Sequence, residues 1–331
     1  YLITLYLITF LLVYRKNFPL LCKSYFKYSY VLIIFFILAI NIASELKLGW
    51  DAQFFYYIKS LYFFENQTIL NLNEFEYNRF HPHFGSYLWG FFRNFSINDF
   101  EYFGRLFYLF IFCISIFFLT TKEKNNYFNI VTYLIIIIII YQYKYFSGLQ
   151  DILLFSILSI ISKYIYNYTI SKQKIYLFII LLCCNLMLWI KSEGVVYSLI
   201  IILTINFFFK EKIKTKIIIT SIFLVSYLFK KYIYIYYNFD QIAQDTYNIE
   251  YLHNLNFEII FYKLKHVTSW LIYYGLNNII ITIGVIFLMI GIAKKYKNNY
   301  ENIIRLHFFL TISFIYAAYI FRDHEVIIAI K

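Results

Sequence analysis

Charge is scarce in this chain. Asp, Glu, Lys and Arg make up 15% of the 331 residues, against about 25% in an ordinary soluble domain. That excludes a water-soluble globular fold as the whole account of the molecule. Proline (2) and glycine (9) are also rare, so flexible linkers and low-complexity segments have little to be built from. The four cysteines are Cys22, Cys113, Cys183 and Cys184. Three lie in apolar runs and one in a short basic stretch, none at metal-ligand spacing, and they set out no disulfide framework. Strict alternation of apolar and polar residues is missing too, which argues against a membrane β-barrel.

What the chain has is apolar length. Hydrophobic residues account for 62%, in runs approaching the roughly 20 residues that cross a bilayer as a helix. The expected fold is all-α: a polytopic transmembrane bundle of about ten spans in a single membrane domain covering 1–331. The spans are Tyr1–Tyr14, Ser29–Ser44, Arg105–Thr120, Tyr127–Tyr143, Ile152–Tyr166, Ile175–Ile190, Val195–Phe209, Ile217–Tyr236, Asn277–Ala293 and Ile303–Phe321. As a helix Tyr1–Tyr14 reaches only about 21 Å, so the expectation is a chain truncated at both ends. Ile, Asn, Lys, Tyr and Phe are abundant throughout, the residues of AT-rich codons, so a single Tyr or Lys carries little weight.

The net charge of +12 points to a membrane surface and not to nucleic acid. Five short connections (Arg15–Lys27, Thr121–Asn126, Ser171–Lys174, Lys210–Lys216 and Lys294–Lys297) hold half of the 30 Lys and Arg. They occur at every second connection, the pattern of cytoplasmic loops under the positive-inside rule. Of the 18 acidic residues, all but Glu123, Glu211 and Glu301 fall on or beside the opposite face. Two non-membrane pieces belong to that outer face. Residues 45–104 form a long first loop, and residues 238–270 form a second segment whose stretch Phe257–Leu264 has the spacing of an interfacial helix.

The outer loop carries the residues with chemistry. Asp51 follows Gly49-Trp50 and opens a predicted helix over Ala52–Phe64, where the helix N-terminus favours a charged carboxylate. The structural alternative is an N-cap aspartate. Arg79-Phe80-His81-Pro82-His83 precedes a predicted helix over Phe84–Phe92, with Pro82 fixing the backbone at its start. The two histidines are too close to share a helical face, so an interfacial loop competes with a metal pair. Further on, Asp151 stands before a membrane helix and either caps it or serves a site. Lys191-Ser192-Glu193-Gly194 interrupts an apolar run. Charges there are costly unless paired or facing a polar cavity, and the alternative is a charged turn. Asp323-His324-Glu325 is a charged exit segment or part of the same face.

In order and spacing these features resemble the GT-C membrane glycosyltransferases, in particular bacterial relatives of the dolichyl-phosphate-mannose-protein mannosyltransferases. Trp50-Asp51-Ala52-Gln53-Phe54-Phe55-Tyr56 stands for that family's W-D-x-x-x-Y-like loop opening. His81-Pro82-His83-Phe84-Gly85-Ser86-Tyr87-Leu88 stands for H-P-P-L-x-x-x-L, with His83 in place of the second proline. Gly104-Arg105-Leu106 matches the arginine opening the next helix, Asp151 the later aspartate, and Lys191-Ser192-Glu193-Gly194 the K-x-E/G-G turn. The likeness covers roughly residues 30–210.

The resemblance implies transfer of a sugar from a polyprenyl-phosphate donor to a hydroxyl of a lipid, glycan or protein acceptor. Transfer would take place on the outer side of a bacterial plasma membrane, with inversion at the anomeric carbon. It implies Asp51 as catalytic base and Arg79, His81, Arg105, Asp151, Lys191 and Glu193 as substrate-binding residues, the cations serving the phosphate. Membrane lipids are the expected surroundings and nucleic acid is no partner. The resemblance fixes no cofactor, and a divalent metal ion is left open. Two other readings compete: a flippase or polysaccharide exporter, which predicts polar residues and helix breaks within spans, and an O-antigen-type polymerase, which would carry its large outer loop later in the chain.

Overall fold

An apolar segment in lipid has no water to satisfy its backbone, so it closes its own hydrogen bonds as a helix. Every regular element among the described residues is helical. The computed structural model describes residues 28–45, 47–68, 82–96, 98, 100–121, 126–141, 146–237, 239, 257–277 and six positions between 303 and 313.

The helices are α1 (Ser29–Ser44), α2 (Ile58–Phe64, preceded by a π-helical stretch Ala52–Tyr57), α3 (Phe84–Arg93), α4 (Tyr102–Thr120), α5 (Asn126–Tyr141), α6 (Asp151–Ser171), α7 (Lys174–Ile190), α8 (Glu193–Phe208), α9 (Ile213–Tyr236) and α10 (Phe257–Asn277). Three of them, α4, α6 and α9, are long and apolar enough to cross a membrane. Helices α1, α5, α7 and α8 are apolar but shorter. The length and composition of these helices make the chain a membrane protein. The expected spans at Tyr1–Tyr14 and, but for Asn277, Asn277–Ala293 lie outside the described residues, as does most of Ile303–Phe321. The helix expected over Phe257–Leu264 starts where predicted but runs on to Asn277.

The chain divides into two compact units. The first holds the described parts of Tyr1–Phe64 and Ser86–Ile160. In it α4 packs against both α1 and α5. Tyr133 of α5 is buried against Tyr30 of α1, ring centroids 5.4 Å apart, and the Tyr141 hydroxyl donates to Asn41 Oδ1 at 2.5 Å.

The second unit holds the described parts of Glu65–Gly85 and Ile161–Lys331. Here α7, α8 and α9 pack on one another. In lipid, apolar side chains gain little by leaving their surroundings, so packing and interhelical hydrogen bonds hold such helices together. Ser198 of α8 donates to the Cys184 carbonyl of α7 at 2.9 Å, and Asn206 Nδ2 donates to Thr220 Oγ1 of α9 at 3.0 Å. Lys230 Nζ of α9 donates to the Leu188 carbonyl near the end of α7 at 2.5 Å. Tyr168 of α6 donates to the Glu211 carboxylate between α8 and α9.

Candidate functional site

In the first unit the site is built around Asp51. The residue has helical backbone angles (φ −59°, ψ −34°), and its side chain makes no capping hydrogen bond. Asp51 is therefore not an N-cap; it stands inside a helix that continues as the π-helical stretch. A π-turn holds one residue more than an α-turn and recurs at functional sites. Its effect shows in the burial pattern. Ala52, Tyr56 and Ser60 lie four residues apart and are all buried, in line along the helix where a regular α-helix would drift about 40° at each step. The same phase puts Asp51, Phe55 and Lys59 on the neighbouring stripe.

Lys59 is 1% exposed, and burial pushes its amine down to about 7, since a low-dielectric surrounding disfavours the charged form. The sequence reading missed it. A regular helix drawn over Ala52–Phe64 places Lys59 about 80° away from Asp51, and only the extra π residue brings the two into line.

A turn at residues 146–150 fixes the Asp51 segment. The Gly49 amide donates to the Ser147 carbonyl at 2.8 Å, and Gln53 Nε2 donates back to the Leu48 carbonyl at 2.9 Å. Gly148 has φ +95°, a conformation that costs other residues 1 kcal/mol or more. A Cβ there would also lie 2.4 Å from the Trp89 ring and 2.9 Å from Ala52 Cβ. Trp89 is fully buried; its indole donates to the Glu101 carbonyl at 3.1 Å, and its ring meets Tyr57 and Tyr108. The turn runs straight into α6, which Asp151 opens. Two carboxylates thus head two helices whose approach segments are hydrogen-bonded to each other. Beside Asp151, Gln150 is fully buried and donates to Ser86 Oγ at 3.3 Å.

Arg105 is buried in the same unit. Its guanidinium donates through Nε and Nη2 to both oxygens of Glu101, at 3.0 and 2.8 Å, and through Nη2 to the Glu45 carbonyl at 3.0 Å. It ties the start of α4 to the end of α1, and Glu101 offsets its charge. The i, i+4 spacing of Glu101 and Arg105 was the readable signal for this pair.

In the second unit Lys191 and Glu193 form an ion pair at 3.6 Å, with side chains 16% and 44% exposed. The pair sits in the turn between α7 and α8, too long for a hydrogen bond. His83, buried, stacks on Tyr234 at 5.6 Å and meets Phe239 edge-on at 5.2 Å. Lys230 lies 5.1 Å above the same Tyr234 ring. Arg79 and His81, also expected at the site, lie outside the described residues. Among the described residues no group of three or more His, Cys, Asp or Glu is placed to hold a metal ion.

Comparison with protein-family models, with curated proteins and with solved structures finds no match.

Proposed function

We propose that the chain is a membrane glycosyltransferase of the GT-C type, with about ten spans and its first long loop on the extracytoplasmic side of a bacterial plasma membrane. It moves a sugar from a polyprenyl phosphate to an acceptor hydroxyl, with inversion. The observation that carries this reading is Asp51: a part-exposed acid in helical conformation that makes no capping hydrogen bond, followed by a π-turn and hydrogen-bonded through its approach segment to the turn before Asp151.

In this reading Asp51 takes the proton of the acceptor hydroxyl as its oxygen bonds to the anomeric carbon. The bond from that carbon to the phosphate oxygen breaks, and polyprenyl phosphate leaves with the electron pair. Lys191, with Arg79 and His81, serves the leaving phosphate. The loose, part-exposed contact of Lys191 with Glu193 is one that a phosphate can displace. Asp151 is assigned to the acceptor. Arg105, already paired with Glu101, supports the reading as a residue that positions the start of α4.

The test is transfer from a labelled polyprenyl-phosphate sugar in proteoliposomes holding the full chain. Asp51→Asn is expected to lower the rate by about 10²–10⁴ with unchanged expression and melting temperature. Wild-type rates in that variant would remove the assigned base. The transporter reading has one specific observation of its own: His307 Nε2 lies 3.1 Å from Thr204 Oγ1, buried in α8, and ionisable groups inside spans mark transport paths. Movement of the labelled lipid between leaflets, without sugar transfer and sensitive to His307→Ala, would favour it.

A further inference from the structure

Helix α3 presents two different faces. On one, Ser86 and Trp89 are fully buried. Gly90 allows a close approach to α2, since a Cβ there would lie 2.4 Å from the Ser60 carbonyl oxygen. On the other, Tyr87 and Phe91, with Phe95 in the turn that follows the helix, come at four-residue spacing, 46%, 43% and 52% exposed. Their rings touch in sequence, Tyr87 to Phe91 at 6.2 Å and Phe91 to Phe95 at 5.4 Å, and Phe63 of α2 extends the row against Tyr87 at 5.5 Å. From Phe84 to Ser96 the chain has no acidic residue and one cation, Arg93, whose guanidinium lies 4.4 Å over the Phe64 ring. At 10 residues α3 is about 15 Å long, half of what a bilayer core requires, so this apolar row is not part of a span.

On α4, one of the membrane-crossing helices, Phe107, Phe110 and Ile114 fall at i, i+3 and i+7 and form one stripe. Phe110 and Ile114 are exposed, 44% and 42%, as a lipid-facing stripe is. Phe107, toward the Tyr102 end, is covered by the ring of Phe92 of α3, stacked at 3.5 Å. The aromatic row of α3 therefore begins where the lipid-facing stripe of α4 ends. Tyrosine and other amphipathic rings collect at that level of a membrane.

We infer that α3 is an in-plane interfacial helix, its Tyr87–Phe91–Phe95 row seated in the lipid headgroup region beside the outer end of α4. Through Gly90 and the Tyr57–Trp89 contact, α3 then holds the Asp51 helix at the membrane surface, where a substrate carried on a lipid reaches it from the side. The seating stands independently of the role proposed for Asp51, and its test uses no activity.

The full chain, with Cys22→Ser, receives Tyr87→Cys, Phe91→Cys or Phe95→Cys, each labelled with an environment-sensitive dye; Cys113, Cys183 and Cys184 are buried, and the parent chain is the labelling blank. Lys212→Cys, in a basic connection, is the control. In phosphatidylcholine–phosphatidylglycerol vesicles, all three positions are expected to lose most of their emission to nitroxide lipids labelled near the ester, and less to those labelled near the chain end. Interfacial helices sit about 5–10 Å into that boundary. Emission unquenched by either lipid overturns the inference, whether it is water-like, as at Lys212, or shielded, as against a second copy of the chain. A second measurement needs no substitution: photoreactive headgroup lipids are expected to crosslink the wild-type chain within 84–96. Crosslinks confined to the spanning helices count against the seating.

Discussion

Lys59 is a lysine with almost no contact with water, in the helix that carries the proposed base. Its folded-state value of about 7 lies below the ordinary 10.5. Between those values the unfolded chain holds a proton that the folded chain lacks, so stability rises with pH across that window and is lowest, and level, below about 7. Lys59→Met is expected to raise the melting temperature in detergent near neutral pH and to flatten its rise toward alkaline pH. A variant that keeps the wild-type slope would show that another group titrates there.

At Gly148 the cost is backbone strain combined with a filled core. Gly148→Ala places a Cβ against the Trp89 ring at a positive φ, and about 3 kcal/mol of destabilisation is expected, read as a lower denaturation midpoint. At this scale Asp51 and Asp151 were legible because an acid beside an apolar run is conspicuous. Lys59 and Trp89 were not, because nothing local distinguishes a buried lysine or tryptophan among so many aromatic residues.

Among the elements, apolar helices were the readable part. Ser29–Ser44 has its predicted bounds, and α4 through α9 begin within a few residues of expectation, because unbroken apolar runs leave the backbone little alternative in lipid. The π-helical stretch was not readable. Alanine, glutamine, phenylalanine and tyrosine at 52–57 fit an α-helix equally well, and the extra residue follows from tertiary packing of Ala52, Tyr56 and Ser60. This gives the stretch its own test. Deleting exposed Phe54 lets the segment relax to a regular α-helix in which Asp51 and Lys59, then seven residues apart, stay within about 20° of one line. The expected outcome is a folded, membrane-inserted chain that keeps most of its transfer. Transfer lost as fully as in Asp51→Asn would mean that the site needs the π-turn itself and not only this phase.

For the molecule as a whole, the distribution of charge in the sequence is the strongest guide to which loops share a side of the membrane. Half of the 30 Lys and Arg lie in five short connections, while almost all the acids lie elsewhere, and such a bias orients polytopic proteins with the basic loops in the cytoplasm. The structure adds local ties that fit this order. Glu211 in one basic connection accepts from Tyr168 near the end of α6, while Lys230, toward the end of α9, bonds the end of α7. Within the second unit the basic connection and the Lys191 turn therefore belong to opposite helix ends. Cysteine accessibility in intact cells tests the assignment. With Cys22→Ser as background, Gln53→Cys and Ser192→Cys are expected to react with a membrane-impermeant maleimide added outside, and Lys212→Cys only after the cells are opened. If Lys212→Cys reacts from outside while Gln53→Cys is protected, the chain is inverted. Asp51 would then face the cytoplasm, and a donor presented at the outer surface could not be its substrate.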